Sequence, residues 1–130
     1  MCHRLSGGIY PNVFYEDSMN KKELDIFKNE VRKWATNLGL KDWGISVEMD
    51  ELESDRVAEC QYENHNRYAL ITIDSAIEKP SRKSLELTAI HETLELVMAD
   101  IREALCAFYN AEMVDKQVHR VIRTLENALK

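Results

Sequence analysis

The chain has 130 residues, of which 45% are hydrophobic and 31% charged, and its formal net charge is -6 at pH 7. This length fits one domain, and the composition is that of a globular protein with an apolar core rather than a disordered chain. No stretch approaches the roughly 20 apolar residues of a membrane span. No lysine and arginine cluster stands out on the acidic chain, so duplex nucleic acid is not indicated as a partner.

The cysteines Cys2, Cys60 and Cys106 are odd in number and show no Cys-x-x-Cys spacing. This pattern argues against a disulfide framework and against a cysteine-rich zinc site. The N-terminus also lacks the continuous apolar segment of a signal peptide. We therefore expect a protein of the reducing cytoplasm.

The first 18 residues differ from the rest of the chain. They contain Gly7-Gly8 and Pro11-Asn12, and neither a helical nor a strand period is sustained there. The sequence therefore predicts an irregular N-terminal extension at residues 1–18 and a single domain at residues 19–130.

The domain begins with a strong helical pattern at residues 21–38. Gly39 follows directly, at the position where helices often end in the left-handed conformation. The apolar residues of this pattern recur at helical spacing: Leu24, Phe27, Val31, Trp34, Ala35 and Leu38.

Three extended segments come next, at residues 43–49, 56–63 and 68–74. The first alternates apolar and polar side chains with the two-residue period of a half-buried strand, and the third is rich in β-forming residues. Residues 64–66, which include His65, suit a hairpin loop because asparagine tolerates positive φ.

Two long helices are predicted to complete the domain. The first is expected to be capped by Ser84 and to continue to about Tyr109, and the second covers residues 113–129. The order of helix, three strands and two long helices defines an α+β domain. The apolar stripe of the first long helix is formed by Leu87, Ile90, Leu94, Val97, Met98, Ile101, Leu105 and Phe108.

The chemistry-bearing motif lies on this first long helix. His91 and Glu95 are four residues apart, so their side chains lie one turn apart on one face and can converge on one ion. Imidazole and carboxylate groups are both good zinc ligands. Glu92 directly follows His91, as the general base does in His-Glu-x-x-His helices.

A third ligand has to come from another element. His119, on the last helix, is the best candidate if the two long helices form an antiparallel hairpin, because imidazole is the stronger zinc ligand by type. Asp115 and Glu112 on the same helix remain as alternatives.

The segment at residues 87–96, which carries this motif, resembles the active-site helix of minimal zincin-like metallopeptidases, including SprT-like domains and small phage proteins. The strand led by Trp43, the hairpin ending at residues 69–73 and the closing helix around residues 118–126 agree with that family's order of elements. The resemblance covers residues 21–130. It implies a zinc-dependent peptidase, or one using another divalent metal, that acts on a peptide or protein.

The sequence departs from the family pattern at Glu95, which occupies the place of the second histidine. A carboxylate there can bind a metal, but it adds negative charge and admits harder ions than zinc. The metzincin variant is excluded, because Ile101 occupies the position of its third histidine. The alternative prediction is a catalytically inactive, zincin-derived binding or structural module, with or without a bound metal, whose long helices could pair with a partner.

Overall fold

The computed structural model describes residues 19–53 and 55–130, so the predicted extension at residues 1–18 lies outside the described part of the chain. It confirms the α+β class, with an N-terminal helix, a three-stranded sheet and C-terminal helices. In chain order the elements are α1 (Lys21–Asn37), β1 (Gly44–Asp50), β2 (Ala58–Glu63), β3 (Tyr68–Asp74), α2 (Arg82–Val97), α3 (Ala99–Cys106) and α4 (Ala111–Leu129).

Helix α1 has defined signals at both ends. The Asn20 side chain accepts a hydrogen bond from the Glu23 backbone N–H, and the Glu23 carboxylate accepts one from the Asn20 N–H, which forms a capping box. At the other end Gly39 has a φ of 75°, as the sequence predicts. Its inward face is anchored by Phe27 and Val31, which are buried.

The sheet has the strand order β1-β3-β2, so β3 lies in the centre. Strand β1 pairs with it in parallel and β2 pairs with it antiparallel, which confirms the hairpin. The turn residue with positive φ is Arg67, at 56°, rather than an asparagine. The central position explains why Ala69, Ile71 and Ile73 have no exposed surface.

The first long helix differs from the prediction at both ends. Its N-cap is Ser81, whose hydroxyl accepts a hydrogen bond from the Ser84 backbone N–H, so the expected cap at Ser84 is wrong. The helix is also interrupted at Met98. Beyond this point Leu105 of the predicted apolar stripe still packs against the core, but Ile101 and Phe108 are 49% and 84% exposed.

Beyond Met98, helix α3 contacts the β2–β3 turn. Oδ1 of Asp100 accepts hydrogen bonds from the side chains of Arg67 and Asn64. These contacts join α3 to the sheet, and they depend on residues more than 30 positions away in the sequence. A period read along the helix alone therefore cannot reveal the interruption.

Helices α1 and α2 cover one face of the sheet, and α4 packs against α2. The opposite face carries mainly polar side chains, among which Thr72 on the central strand is itself buried. The α2–α4 contact is formed by Ile90, Leu94, Met98, Val114, Val118 and Ile122. Within the described residues, no helix combines the length and apolar character that crossing a membrane requires.

Candidate metal centre

The packing of α4 on α2 brings three predicted ligands together. His91 and Glu95 lie one turn apart on α2, at the edge of its apolar face. His119 follows the buried Val118 on α4 and therefore emerges beside the same contact. One ligand atom from each of His91, Glu95 and His119 lies within 4.8 Å of the others, so the predicted convergence is present.

The distances within this group fit a small tetrahedral site. Oε2 of Glu95 lies 3.0 Å from Nε2 of His119 and 3.5 Å from Nε2 of His91. Ligand atoms about 2.0–2.1 Å from a tetrahedral zinc ion are separated by roughly 3.3 Å. Two of the three separations are therefore compatible with zinc or a similar divalent ion, and the third lies within 4.8 Å.

Each histidine ring is oriented by a contact at Nδ1, while Nε2 faces the ligand group. Nδ1 of His91 lies 2.6 Å from Oε2 of Glu126, and Nδ1 of His119 lies 2.9 Å from the backbone oxygen of Asp115. When Nδ1–H donates to such an acceptor, Nε2 keeps a lone pair directed at the ion. This is the arrangement that surrounds the histidine ligands of protein metal sites.

The carboxylate of Glu95 is held in the same way. Its Oε1 accepts a hydrogen bond of 3.1 Å from Arg102, whose guanidinium also donates to Asp115 at 2.7 Å. Arg102 therefore fixes one oxygen of Glu95 while Oε2 faces the two histidines. It also places a positive charge beside this carboxylate.

The positions of the three candidates for the third ligand distinguish His119 from Asp115 and Glu112. The Asp115 carboxylate is engaged by Arg102 through Oδ1 and lies 3.3 Å from Nδ1 of His119 through Oδ2, and its backbone oxygen also contacts His119. Glu112 lies in the first turn of α4, seven residues before His119 and thus about 10 Å away along the helix. Of these three candidates, His119 is the one that joins His91 and Glu95 in the group.

Sequence analysis missed Glu126 and Arg102, although a signal for both was present. Each follows a predicted ligand by seven residues: Glu126 follows His119, and Arg102 follows Glu95. Seven residues are close to two helical turns and return to the same face. Charged residues at that spacing are usually solvated, so the sequence alone does not show that these two contact ligand residues. The packing of the helices in the structure shows the contacts.

The three side chains border a cleft of about 670 Å³. One wall is β2, an edge strand of the sheet, which contributes Ala58, Cys60 and Tyr62. Glu92 also lines the cleft although it is only 6% exposed. The predicted general base and the predicted ligands therefore share one cavity, whereas His65 is exposed in the β2–β3 turn, as expected.

The electrostatics of the cleft follow from burial and close charges. The hydrogen bond with Glu95 raises the pKa of His91 to about 9, against the opposing effect of burial and with further support from Glu126. Burial raises the pKa of Glu92 to about 7. Burial also disfavours the Glu95 carboxylate, but His91, His119 and Arg102 outweigh this effect and lower its pKa.

Burial also raises the pKa of the Cys60 thiol, and the nearby carboxylates of Glu92 and Glu95 add to this shift. The thiol is therefore in its neutral form in the absence of a bound cation. Thiolate is the form that attacks substrates and binds metals. Cys60 consequently contributes a neutral wall of the cleft rather than a nucleophile.

No protein-family model matches the chain, and no curated protein or solved structure matches it significantly. The inference of function therefore depends on the residues and geometry described above.

Proposed function

We propose that the protein is a zinc-dependent hydrolase of peptide bonds. His91, Glu95 and His119 would be the zinc ligands, and Glu92 would be the general base. The observation that carries the proposal is the convergence of these three ligand groups in a cleft, where every one of them is oriented by a further hydrogen bond. Another divalent ion is compatible with the same donors.

The composition of the ligand set favours a catalytic zinc site over a purely structural one. Two histidines and one glutamate form one of the known catalytic zinc sets, and such sites leave a fourth position for water or substrate. Here Glu95 supplies the carboxylate from the helix motif and His119 supplies the second imidazole from α4. The replacement of the second histidine thus changes the order of the ligands along the chain but retains a catalytic combination.

Zinc in this position would supply a Lewis acid that polarises a substrate carbonyl and favours deprotonation of water. Glu92 lies one residue after His91 and lines the same cleft, so its carboxylate is available to accept a proton from the attacking water. Its burial excludes most competing solvent from the carboxylate. Arg102 would hold Glu95 in position as charge develops in the cleft.

A peptide is the substrate class that the wall of the cleft suits best. Strand β2 pairs with β3 on one side, and no other strand of residues 19–53 and 55–130 pairs with its outer edge along the cleft. An extended peptide can hydrogen-bond to such an edge and place a carbonyl group near the ligands. The resemblance to minimal zincin-like peptidases supports the same class.

The metal assignment is tested by the metal content of purified protein and by zinc titration. We expect one zinc ion per chain, with binding lost in His91→Ala and His119→Ala variants. The matched control is His65→Ala, which removes an exposed histidine and should leave binding unchanged. Absence of binding by the unaltered protein, for zinc and for other divalent ions, would overturn the assignment.

Hydrolysis is tested separately with an unfolded protein as substrate. Glu92→Gln should retain zinc and abolish cleavage, whereas Glu103→Gln, an exposed substitution of the same type on α3, should leave cleavage unchanged. If the protein binds zinc but cleaves no unfolded protein or peptide, the hydrolase proposal fails and the inactive binding module is favoured.

A further inference from the structure

A second cleft, of about 480 Å³, lies between α1 and β1, at the edge of the sheet opposite to β2. The short turn at residues 38–43 joins these two elements, and both contribute residues to the cleft. The floor of the cleft is apolar and includes Val31, Ile45 and Val47. Ile45 and Val47 are only partly covered by α1, which leaves the gap open to a ligand.

Three cationic side chains line this cleft: Lys28, Arg32 and Lys41. Among the described residues, no acidic side chain lines it, although the whole chain carries a net charge of -6. Arg32 donates to the neutral side chain of Asn29. Within residues 19–53 and 55–130, none of the three cations forms an ion pair, in contrast to Arg67 and Arg102, which each hold two carboxylates.

Strand β1 adds backbone hydrogen-bonding groups to the same cleft. It pairs with β3 on one side, and no strand of the described chain covers its other side. Alternate residues of such an edge strand present their N–H and C=O groups outward, where another chain can pair with them. The cleft therefore combines an apolar floor, three cations and a free strand edge.

We propose that this cleft binds an extended acidic segment of a partner protein, which adds to β1 as a fourth strand. The acidic side chains of that segment would contact Lys28 and Arg32, and Lys41 would extend the contact toward the turn. Intervening backbone groups would pair with β1. This mode of binding takes affinity from main-chain hydrogen bonds and specificity from alternate side chains.

The spacing of the cations agrees with this mode. Lys28 and Arg32 are four residues apart on α1, which separates them by about 6 Å along the helix axis. Side chains on one face of a strand are separated by roughly 6.6 Å, because every second residue points to the same side. An acidic residue at every second position of the bound segment would thus meet both cations.

Single-stranded nucleic acid fits the same charges less well. Proteins that bind it without sequence preference usually stack its bases on accessible aromatic rings. The aromatic residue that lines this cleft, Trp43, is only 7% exposed, and the Arg67 guanidinium covers its ring at 4.4 Å. A free strand edge also offers main-chain groups that a peptide complements and a nucleic acid does not.

The test uses a synthetic peptide of about eight residues, the reach of a typical strand, with alternating glutamate and valine. Amide chemical shifts of the labelled protein should change along β1 and the facing side of α1. Replacing Lys28 and Arg32 together by glutamine should weaken binding on the order of tenfold, since two charge pairs are lost. The matched control replaces Lys21 and Lys22 by glutamine on the same helix, outside the cleft, and should leave the affinity unchanged.

Three further probes can overturn the proposal. Equal binding of a lysine–valine peptide would exclude charge recognition, and unaltered binding of a peptide N-methylated at alternate amides would exclude strand addition. Tighter binding of a thymidine oligonucleotide, lost in the Lys28 and Arg32 variant, would assign the cleft to nucleic acid. The His91→Ala variant should bind the acidic peptide normally, so this proposal stands or fails independently of the metal site.

Discussion

Oε2 of Glu126 lies 2.6 Å from Nδ1 of His91 and connects the end of α4 to the centre of α2. The contact directs Nε2 of the ring toward Glu95 and His119. Both partners are largely covered, with side chains 34% and 23% exposed. Glu126 is therefore placed to control the ring orientation of a ligand without entering the ligand group itself.

The first prediction concerns this contact. Glu126→Gln should weaken zinc binding by about 10- to 100-fold at or above pH about 9, where protons compete little for His91, because hydrogen-bond partners of ligating histidines fix the ring and raise its basicity. Zinc titration of the variant checks the value, with Glu103→Gln on α3 as the matched control. The thermal transition of the metal-free variant should remain cooperative. Unchanged zinc affinity would show that Glu126 does not support the site.

The second prediction concerns the pairing of Arg102 with Glu95, whose side chains are 20% and 14% exposed. A partly buried charged pair is expected to show a coupling free energy of about 1 kcal/mol in a double-mutant cycle. The cycle combines Glu95→Gln with Arg102→Met, and urea unfolding in the presence of a chelator supplies the four stabilities.

The matched pair for this cycle is Arg56 and Glu59, whose charged atoms are 3.6 Å apart and more exposed. Its coupling free energy should be close to zero, because water screens such pairs. A coupling for Arg102 and Glu95 no larger than that of the surface pair would contradict the role assigned to Arg102.

Local sequence patterns were sufficient to predict most of the fold. The helical period ending at Gly39 predicted α1, and the two-residue alternation around Ile45 and Val47 predicted β1. These elements are visible in sequence because each buries a single face, which imposes its period on the apolar residues. The prediction failed at Met98, where the helix is interrupted and Asp100, just beyond it, contacts the distant Arg67.

Only part of the candidate site could be predicted from the sequence, because the rest depends on contacts between different elements. His91 and Glu95 share one helix, so their spacing alone places them together. The approach of His119 depends on how α4 packs against α2, which the sequence does not show. His119 was predicted as the third ligand because imidazole is a good zinc ligand. Glu126 and Arg102 contact the ligands across different elements, and no local pattern separates them from solvated charges.

The third prediction concerns the cost of burying Glu92 in the metal-free protein. Its pKa is raised from 4.5 to about 7 by burial, so the charged form is less stable in the folded state than in the unfolded state. This cost is absent below the unfolded pKa and is fully present once the pH exceeds the folded pKa. Glu92→Gln removes the charge and should therefore stabilise the protein only at the higher pH.

The gain from Glu92→Gln above pH about 7 should approach, without exceeding, about 3 kcal/mol, which is the free-energy equivalent of the shift. Urea unfolding in a chelator at several pH values measures it, and the difference between variant and unaltered protein should vanish in acid. Equal stabilisation at every pH would show that packing, rather than charge, is responsible.

The final prediction concerns the pH dependence of zinc binding. His91 must lose its proton to bind zinc through Nε2, and its pKa of about 9 in the metal-free site exceeds the ordinary value of 6.5. Zinc affinity should therefore keep rising, by up to about tenfold per pH unit, up to pH about 9 instead of levelling off near pH 6.5. Glu126→Gln removes one of the carboxylates that raise this pKa, so its affinity should level off at lower pH. Competition with a chelator of known pH dependence measures both curves, and a plateau near pH 6.5 in the unaltered protein would contradict the coupling of His91 to its two carboxylates.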